Sequence, residues 1–234
     1  MDCGKILLAT ALAQAEIHDR LYATIEEHWL RYLWSSWIKA RPDQLANHNL
    51  AFIIFNYDRC LEHYFTQAVS RSYNIHENNA WAAVLQLSIV HPHGSLGVYD
   101  PAGRAATKQS RPFAPPANFF DVSMAAESIK LFWEQEEDHA RSVSFSLARA
   151  FAGAECVVFL GFGYLKSNME IIAHFIKEEQ ARRDLAIYGT AYRLSRNDRS
   201  RAIRYLGRSA TLADVTALEL LRNTVPLDEL APEA

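Results

Sequence analysis

The feature that most constrains the fold is a repeated order of segments: a short apolar run, then a polar or glycine-rich cluster, then an amphipathic stretch. Residues 52–65 show this order, since FIIF runs into NYDR and then into CLEHYF. Short apolar runs that contain β-branched residues are typical of buried strands, and the stretches that follow have helical periodicity. Strands that alternate with helices predict an α/β fold with a parallel sheet and flanking helices.

The same alternation continues along the chain. The predicted strands are 50–55, 87–91, 129–133, 156–160 and 185–188, and the predicted helices are 4–18, 24–39, 59–72, 77–85, 136–152, 168–182 and 198–223. Residues 99–122 are rich in proline and predict a long surface excursion. We divide the chain into a helical segment at 1–49, a core at 50–210, and a C-terminal helix and tail at 211–234.

Polar or glycine-rich clusters follow four of the predicted strands. They are Asn56 and Asp58, His93 and Gly94, Gly161 and Gly163, and Gly189 and Thr190. In parallel α/β sheets, ligands bind beyond the carboxyl ends of the strands. We therefore expect these clusters to converge at one edge of the sheet and to form a ligand site there.

Four segments resemble a known family. FNYDRCLEHYF resembles the T-x-N-x-D strand-end motif of sirtuin-like proteins, and HPHGSLG resembles their histidine–glycine segment. FLGFGYLKSN looks like the later strand–glycine turn of the bacterial sirtuin-like branch, and IYGTAY looks like its last nucleotide-side strand. Order and spacing fit from about residue 5 to about residue 207. The resemblance implies a Rossmann-like domain that takes NAD as substrate or ligand.

The resemblance also implies roles for individual residues. Asn56 and Asp58 would line the nicotinamide–ribose pocket, and His93 would act as a base toward a ribose hydroxyl. The residues expected near the cofactor are Gly94, Gly161, Gly163, Asn168, Gly189 and Thr190. Cleavage of the nicotinamide–ribose bond develops positive charge on the sugar, which carboxylates and fixed dipoles stabilise. Histidine suits proton transfer at neutral pH.

Each of these residues also has a structural interpretation. Asp58 is placed to cap the helix that follows it, and Asn56 is placed to close a turn. His93 could be a hydrogen-bonded loop histidine, and His91 competes with it because the segment reads HPHG. Gly161 and Gly163 could be turn glycines only, since a lone GxG is weak evidence.

The chain departs from the sirtuin pattern in two ways. It has no CxxC pair, so the zinc ribbon of the deacetylase sirtuins is missing and no metal site is expected. Sirtuin-like chains also open with a strand and a glycine-rich loop that holds the pyrophosphate. Gly4 is the one glycine before residue 50, so we expect that strand and loop to be missing here. Their loss would weaken NAD binding and leave inner sheet edges unpaired.

Composition limits the remaining choices. The formal net charge of −3 gives no general attraction to nucleic acid or to a membrane surface. Three unclustered cysteines and no secretion signal indicate a cytoplasmic protein. The favoured function is NAD hydrolysis, lost if the N-terminal strand and loop are absent. The first alternative is a non-catalytic nucleotide-binding or interaction module of a bacterial anti-phage defence or signalling system, which self-associates or binds a partner protein. The second is an NAD-dependent deacylase or ADP-ribosyl transferase.

Overall fold

The computed structural model describes residues 3–22, 28–38, 41–103, 109–131, 134 and 137–227 of the 234-residue chain. The α-helices are α1 (Cys3–Ala15), α2 (His18–Tyr22), α3 (Trp29–Leu33), α4 (Cys60–Tyr73), α5 (Glu77–Val84), α6 (Phe119–Ser128), α7 (Glu137–Phe151), α8 (Lys166–Arg182), α9 (Arg196–Leu206) and α10 (Ala217–Asn223). The strands are β1 (Ala51–Ile53), β2 (Ser88–Val90), β3 (Val98–Tyr99), β4 (Ser110–Arg111), β5 (Cys156–Phe159), β6 (Ala186–Thr190) and β7 (Thr211–Ala213). The fold is therefore mixed α/β, as predicted.

The strands form three small sheets in which every pairing is parallel. β1 pairs with β2, β3 pairs with β4, and β6 lies between β5 and β7. The amide of Ile54 donates to the carbonyl of Val90 at 2.8 Å, which extends the β1–β2 pairing beyond the strand ends. Within the described residues, no strand pairs with the second edge of β1 or of β5. Each of these two strands therefore has one open edge.

The predicted strand at 129–133 is wrong. Ile129 follows the last residue of α6 and makes only an isolated antiparallel bridge with Gly94. Residues 132 and 133 lie outside the described part of the chain. The apolar residues of this segment pack in a small core between α1 and α6, where Ile129 is fully buried. That packing explains the apolar pattern without a strand.

The predicted C-terminal helix over 198–223 is interrupted by a strand. α9 ends at Leu206 and is capped by Gly207, whose φ of +90° a residue with a side chain rarely adopts. β7 then pairs with β6, and α10 begins at a capping box formed by Thr216 and Glu219. The helix predicted over 24–39 is also broken, because α3 passes into a π-helical turn at Trp34–Ile38. Residues 23–27 and 39 lie outside the described residues.

The described part of the segment 99–122 lies largely at the surface, as predicted, but a few buried residues anchor it to the interior, among them Tyr99, Arg111 and Phe113. Arg111 lies in β4 and is 8% exposed. Its guanidinium donates to the carbonyl of Leu96 at 3.3 Å and to that of Ala114 at 2.6 Å. The segment also contains the start of α6, which Asn118 caps by accepting from the amide of Asp121 at 3.0 Å. Residues 104–108 lie outside the described residues.

A buried ion cluster of Glu16, Arg59 and Arg111 joins three distant parts of the chain. Glu16 is 1% exposed and Arg59 is 0% exposed. The Glu16 carboxylate accepts from Arg59 Nε at 3.0 Å and lies 3.2 Å from Arg111 Nη1. Arg59 also donates to the carbonyls of Arg111 and Pro112, at 2.8 and 2.9 Å. The cluster therefore fixes the segment after α1 and the β4 segment against the turn that precedes α4.

Two of the hydrophobic cores lie on opposite sides of β1. One contains apolar residues of α7, α8, β5 and β6, with Ile53 and Phe55 packed against it. Another contains residues of α3, α4 and α5, with Phe52, Ile54 and Ile89 packed against it. The residues of β1 therefore alternate between two cores, as expected for a strand covered on both faces. None of the described helices is both long enough and apolar enough to cross a membrane.

Candidate functional site

The loops that follow β1, β2 and β5 meet around His93. The His93 ring lies 5.7 Å from the Phe55 ring and 6.4 Å from the Tyr57 ring, measured between centroids. His93 Nε2 lies 3.1 Å from Oδ1 of Asn168, which belongs to the first turn of α8. Since β1 and β2 are parallel neighbours, the structure places these side chains at the common carboxyl edge, as the strand-end rule predicts.

The backbone around His93 is held tightly. Its carbonyl accepts from the amide of Lys130 at 2.8 Å, and the amide of Gly94 donates to the carbonyl of His91 at 3.0 Å. Gly94 has a φ of +72°, and a Cβ at this position would lie 2.3 Å from the carbonyl oxygen of Ser128. Gly94 is therefore required for the close approach of this turn to the end of α6.

One nitrogen of the His93 imidazole is left over. His93 is 7% exposed, and among the described residues its Nδ1 has no hydrogen-bond partner. Because Asn168 Oδ1 is an acceptor, the contact at Nε2 favours the tautomer that carries its proton there. In this tautomer the lone pair lies on Nδ1, which is itself buried.

Asn56 and Asp58 lie in the adjacent loop. The side chain of Asn56 is exposed, and its carbonyl lies 3.3 Å from His91 Nδ1. Asp58 Oδ1 accepts from the amide of Cys60 at 3.1 Å. The N-cap of α4 is Arg59, one residue later than the predicted cap at Asp58. Asp58 nevertheless accepts from the first amide of that helix, which is the contact that its predicted capping role requires.

The turn after β5 is open on its outer face. A Cβ at Gly161 or at Gly163 would meet no heavy atom of the described residues within 4 Å. The amide of Gly161 donates to Oγ1 of Thr190 at 2.8 Å, which ties the turn to the end of β6. Thr190 is 4% exposed, so its hydroxyl is used to hold this turn. A ligand could therefore approach the backbone of 161–163 closely.

Gly189 has a packing role. A Cβ there would lie 2.2 Å from the hydroxyl of Tyr164 and 2.8 Å from Cδ2 of Leu212. Tyr164 is fully buried and donates from its hydroxyl to the carbonyl of Thr190 at 3.1 Å. Only glycine allows Tyr164 to cross β6 at this point.

We expect Gly189→Ala to lower the free energy of unfolding by about 1–3 kcal/mol, because the added methyl group overpacks the contact with Tyr164. The matched control is Gly163→Ala, which introduces the same methyl group into open space and should change stability by less than about 0.5 kcal/mol. Urea denaturation of the two variants checks the difference. Equal losses would mean that Gly189 is not tightly packed.

Sequence reasoning missed a buried ion pair beside the candidate site. His91 Nε2 lies 2.7 Å from Oε1 of Glu62, and the two side chains are 12% and 8% exposed. Burial opposes protonation of His91, but the hydrogen bond and charge of Glu62 prevail and raise the pKa of His91 above its ordinary value. The pattern that could have predicted this pair is Glu62 in the first turn of the helix after β1, together with His91 directly after β2, the strand that pairs with β1.

Comparison with protein-family models, with curated proteins and with solved structures found no match for this chain. Among the described residues, no group of three or more histidine, cysteine, aspartate or glutamate side chains could hold a metal ion.

The raised pKa of His91 predicts a pH-dependent stability. The pair with Glu62 contributes fully below the unfolded-state pKa of about 6.5, and its contribution is lost as the pH rises through the higher folded-state pKa. The stability difference between the wild type and His91→Gln should therefore shrink as the pH rises. Urea denaturation between about pH 6 and pH 9 measures it. His174→Gln, at an exposed histidine, is the control, and a difference that is constant with pH would contradict the prediction.

Proposed function

We propose that the loops around His93 form a sirtuin-like NAD-cleaving site and that the chain is a zinc-free NAD hydrolase of the bacterial sirtuin-like type. The observation that carries the proposal is the contact between His93 and Asn168, at 3.1 Å across the loops that follow β2 and β5. These residues are 75 positions apart, and the family resemblance implied a role near the ribose for both. A buried imidazole with one free nitrogen supports a role as a base.

We further propose that the β1–β2 and β5–β6–β7 sheets are two parts of one Rossmann-like sheet. The support is that α7 contacts β1 and β2 and also packs against α8, the helix that joins β5 to β6. Ile53 and Phe55 also share a core with Val157 and Phe159 of β5. The strand order would be β2, β1, a gap, β5, β6 and β7. The gap corresponds to the central strand that the resemblance to sirtuin-like proteins leads us to expect.

The proposed chemistry uses the residues in distinct ways. His93 Nδ1 accepts a proton from a ribose hydroxyl, and Asn56 positions the ribose or the attacking water. Asp58 supplies negative charge toward the sugar as the bond to nicotinamide breaks. Asn168 and the open backbone of 161–163 would contact the ribose. Gly189 and Thr190 would support the site without touching the ligand, since Gly189 packs against Tyr164 and Thr190 holds the turn after β5.

The test is to incubate the purified natural gene product, with any residues encoded ahead of Met1, with NAD and to separate the products by chromatography. A hydrolase releases nicotinamide and ADP-ribose in equal amounts with no acceptor present. Release that requires an acylated lysine peptide would indicate a deacylase. Binding of NAD without cleavage, or the absence of both binding and cleavage, would favour the non-catalytic interaction module. The open edges of β1 and β5 also suit such a module, because they can pair with a strand of another chain.

The open edges predict self-association of the 234-residue chain. Unpaired strand edges are templates for pairing with another chain, and each buried backbone group left unsatisfied costs about 1–3 kcal/mol. We expect light scattering to give a mass above that of a monomer and thermal unfolding to be broad.

The 234-residue chain is compared with a form that carries an N-terminal extension with a strand and a glycine-rich loop. That form should be monomeric, should melt cooperatively and should cleave NAD faster. A monomeric, cooperatively melting 234-residue chain that cleaves NAD as fast as the extended form would contradict the proposed gap. Another element would then occupy that place.

A further inference from the structure

A pocket lies on the face of β2 opposite to the core that contains residues of α7, α8, β5 and β6. It has a volume of about 230 Å³ and is lined by α4, α5, β2 and the segment that leads into β3. Its apolar wall includes Trp81, Leu85 and Val98, and its polar end includes Glu62, His91 and Ser95. His93, Asn168 and the β5 turn do not line this pocket. It is therefore distinct from the candidate NAD site.

The polar end of the pocket holds an acceptor without a donor. Glu62 is 6% exposed, and its Oε1 is bound by His91 at 2.7 Å. Its Oε2 is buried, and no hydrogen-bond partner for it exists among the described residues. A buried carboxylate oxygen that lacks a donor is costly, so the arrangement favours a ligand that brings an N–H group to this atom.

The wall of the pocket defines the rest of the ligand. The Trp81 and Tyr99 rings pack edge to face with centroids 4.9 Å apart. The Tyr99 hydroxyl lies 3.0 Å from Nδ1 of His63, so it is engaged elsewhere. Aromatic rings beside a carboxylate suit a cation, because ring faces attract positive charge and a carboxylate forms charge-assisted hydrogen bonds. Leu85, Leu87 and Val98 offer apolar contact for an attached hydrocarbon body.

From these observations we propose that the pocket between α5 and β2 binds a small primary amine. The ammonium group donates to Oε2 of Glu62, and an apolar body lies along Trp81 and Val98. Such a ligand uses the carboxylate oxygen of Glu62 that His91 does not bind, so the hydrogen bond between Glu62 and His91 is kept. The site is independent of NAD cleavage, so its failure and the failure of the proposed function can be told apart.

The experiment is calorimetric titration of the chain, without NAD, with 2-phenylethylamine. 2-Phenylethanol has the same shape without the charge and serves as the matched ligand. We expect saturable binding of one molecule of the amine, and at least about tenfold weaker binding of the alcohol. Glu62→Gln replaces the free acceptor by an amide and should weaken amine binding at least about tenfold.

A variant at an exposed residue protects the test against a folding defect in Glu62→Gln. Val98 is 50% exposed at the pocket, and Val98→Trp should fill the pocket and abolish binding without loss of stability. Ala102→Trp, at an exposed residue of a different pocket, is the control and should leave binding unchanged. Equal affinity for amine and alcohol, unchanged binding by Val98→Trp, or no binding by the folded wild type would overturn the proposal.

Discussion

Replacing His93 by alanine is expected to lower the rate of nicotinamide release from NAD by about 10²–10⁴-fold, the usual effect of removing a general base. The physical reason is that Asn168 holds His93 at Nε2, while Nδ1, which has no partner among the described residues, is the nitrogen proposed to act as the base. The measurement is a time course of nicotinamide release by the natural gene product. A thermal unfolding curve of the variant checks that it remains folded.

The matched control is His91→Ala, two residues away in the same segment. His91 is paired at both ring nitrogens, with Glu62 at 2.7 Å and with the carbonyl of Asn56 at 3.3 Å. We therefore expect this variant to lose stability while the turnover of its folded fraction changes little. Equal loss of turnover in both variants at unchanged stability would remove the support for His93 as the base.

The second large effect is expected on stability. Arg59→Ala should lower the free energy of unfolding by about 3–5 kcal/mol, because it leaves the buried carboxylate of Glu16 with one arginine instead of two. Arg59 is fully buried and makes hydrogen bonds to Glu16, Arg111 and Pro112. The variant also removes one donor from each of these backbone carbonyls, although the amides of Asp100 and Ala114 still donate to them. Urea denaturation measures the loss.

The control for this prediction is Arg141→Ala. Arg141 forms an ion pair with Glu137 at 3.2 Å on the surface of α7, where the two side chains are 76% and 88% exposed. Exposed pairs of this kind are worth about 0–1 kcal/mol. A loss of similar size in the two variants would show that the buried ion cluster does not hold the fold together.

Local pattern was sufficient to predict β1, β2, β5 and β6. Each contains a run of apolar residues, several of them β-branched, next to a turn signal, and those features act over a few residues. β7 was missed because Thr211–Ala213 is too short to carry a period and lies between two helical patterns. The anchoring of the segment 99–122 was missed because the ion-pair partner of its buried Arg111 is Glu16, which lies far away in sequence.

The candidate site was predictable to the level of loops and less so to the level of atoms. The strand-end rule correctly placed His93 at the edge where the loop after β1 lies, and the contact with Asn168 brings in the loop after β5. It could not show that Gly189 packs under Tyr164 while Gly163 faces open space. Nor could it find Glu62, because the pairing of a helix residue with His91 depends on how α4 packs against β2.

The most direct test of the central claim is a hydrogen–deuterium exchange footprint with a carbocyclic NAD analogue that cannot be cleaved. If the loops around His93 form the NAD site, binding should slow exchange in peptides that cover 54–58, 91–97 and 160–168. Peptides of the pocket wall at 77–87 should remain unchanged and serve as the internal control. Protection confined to other segments, or no protection at saturating analogue in the natural gene product, would contradict the assignment of this site to NAD.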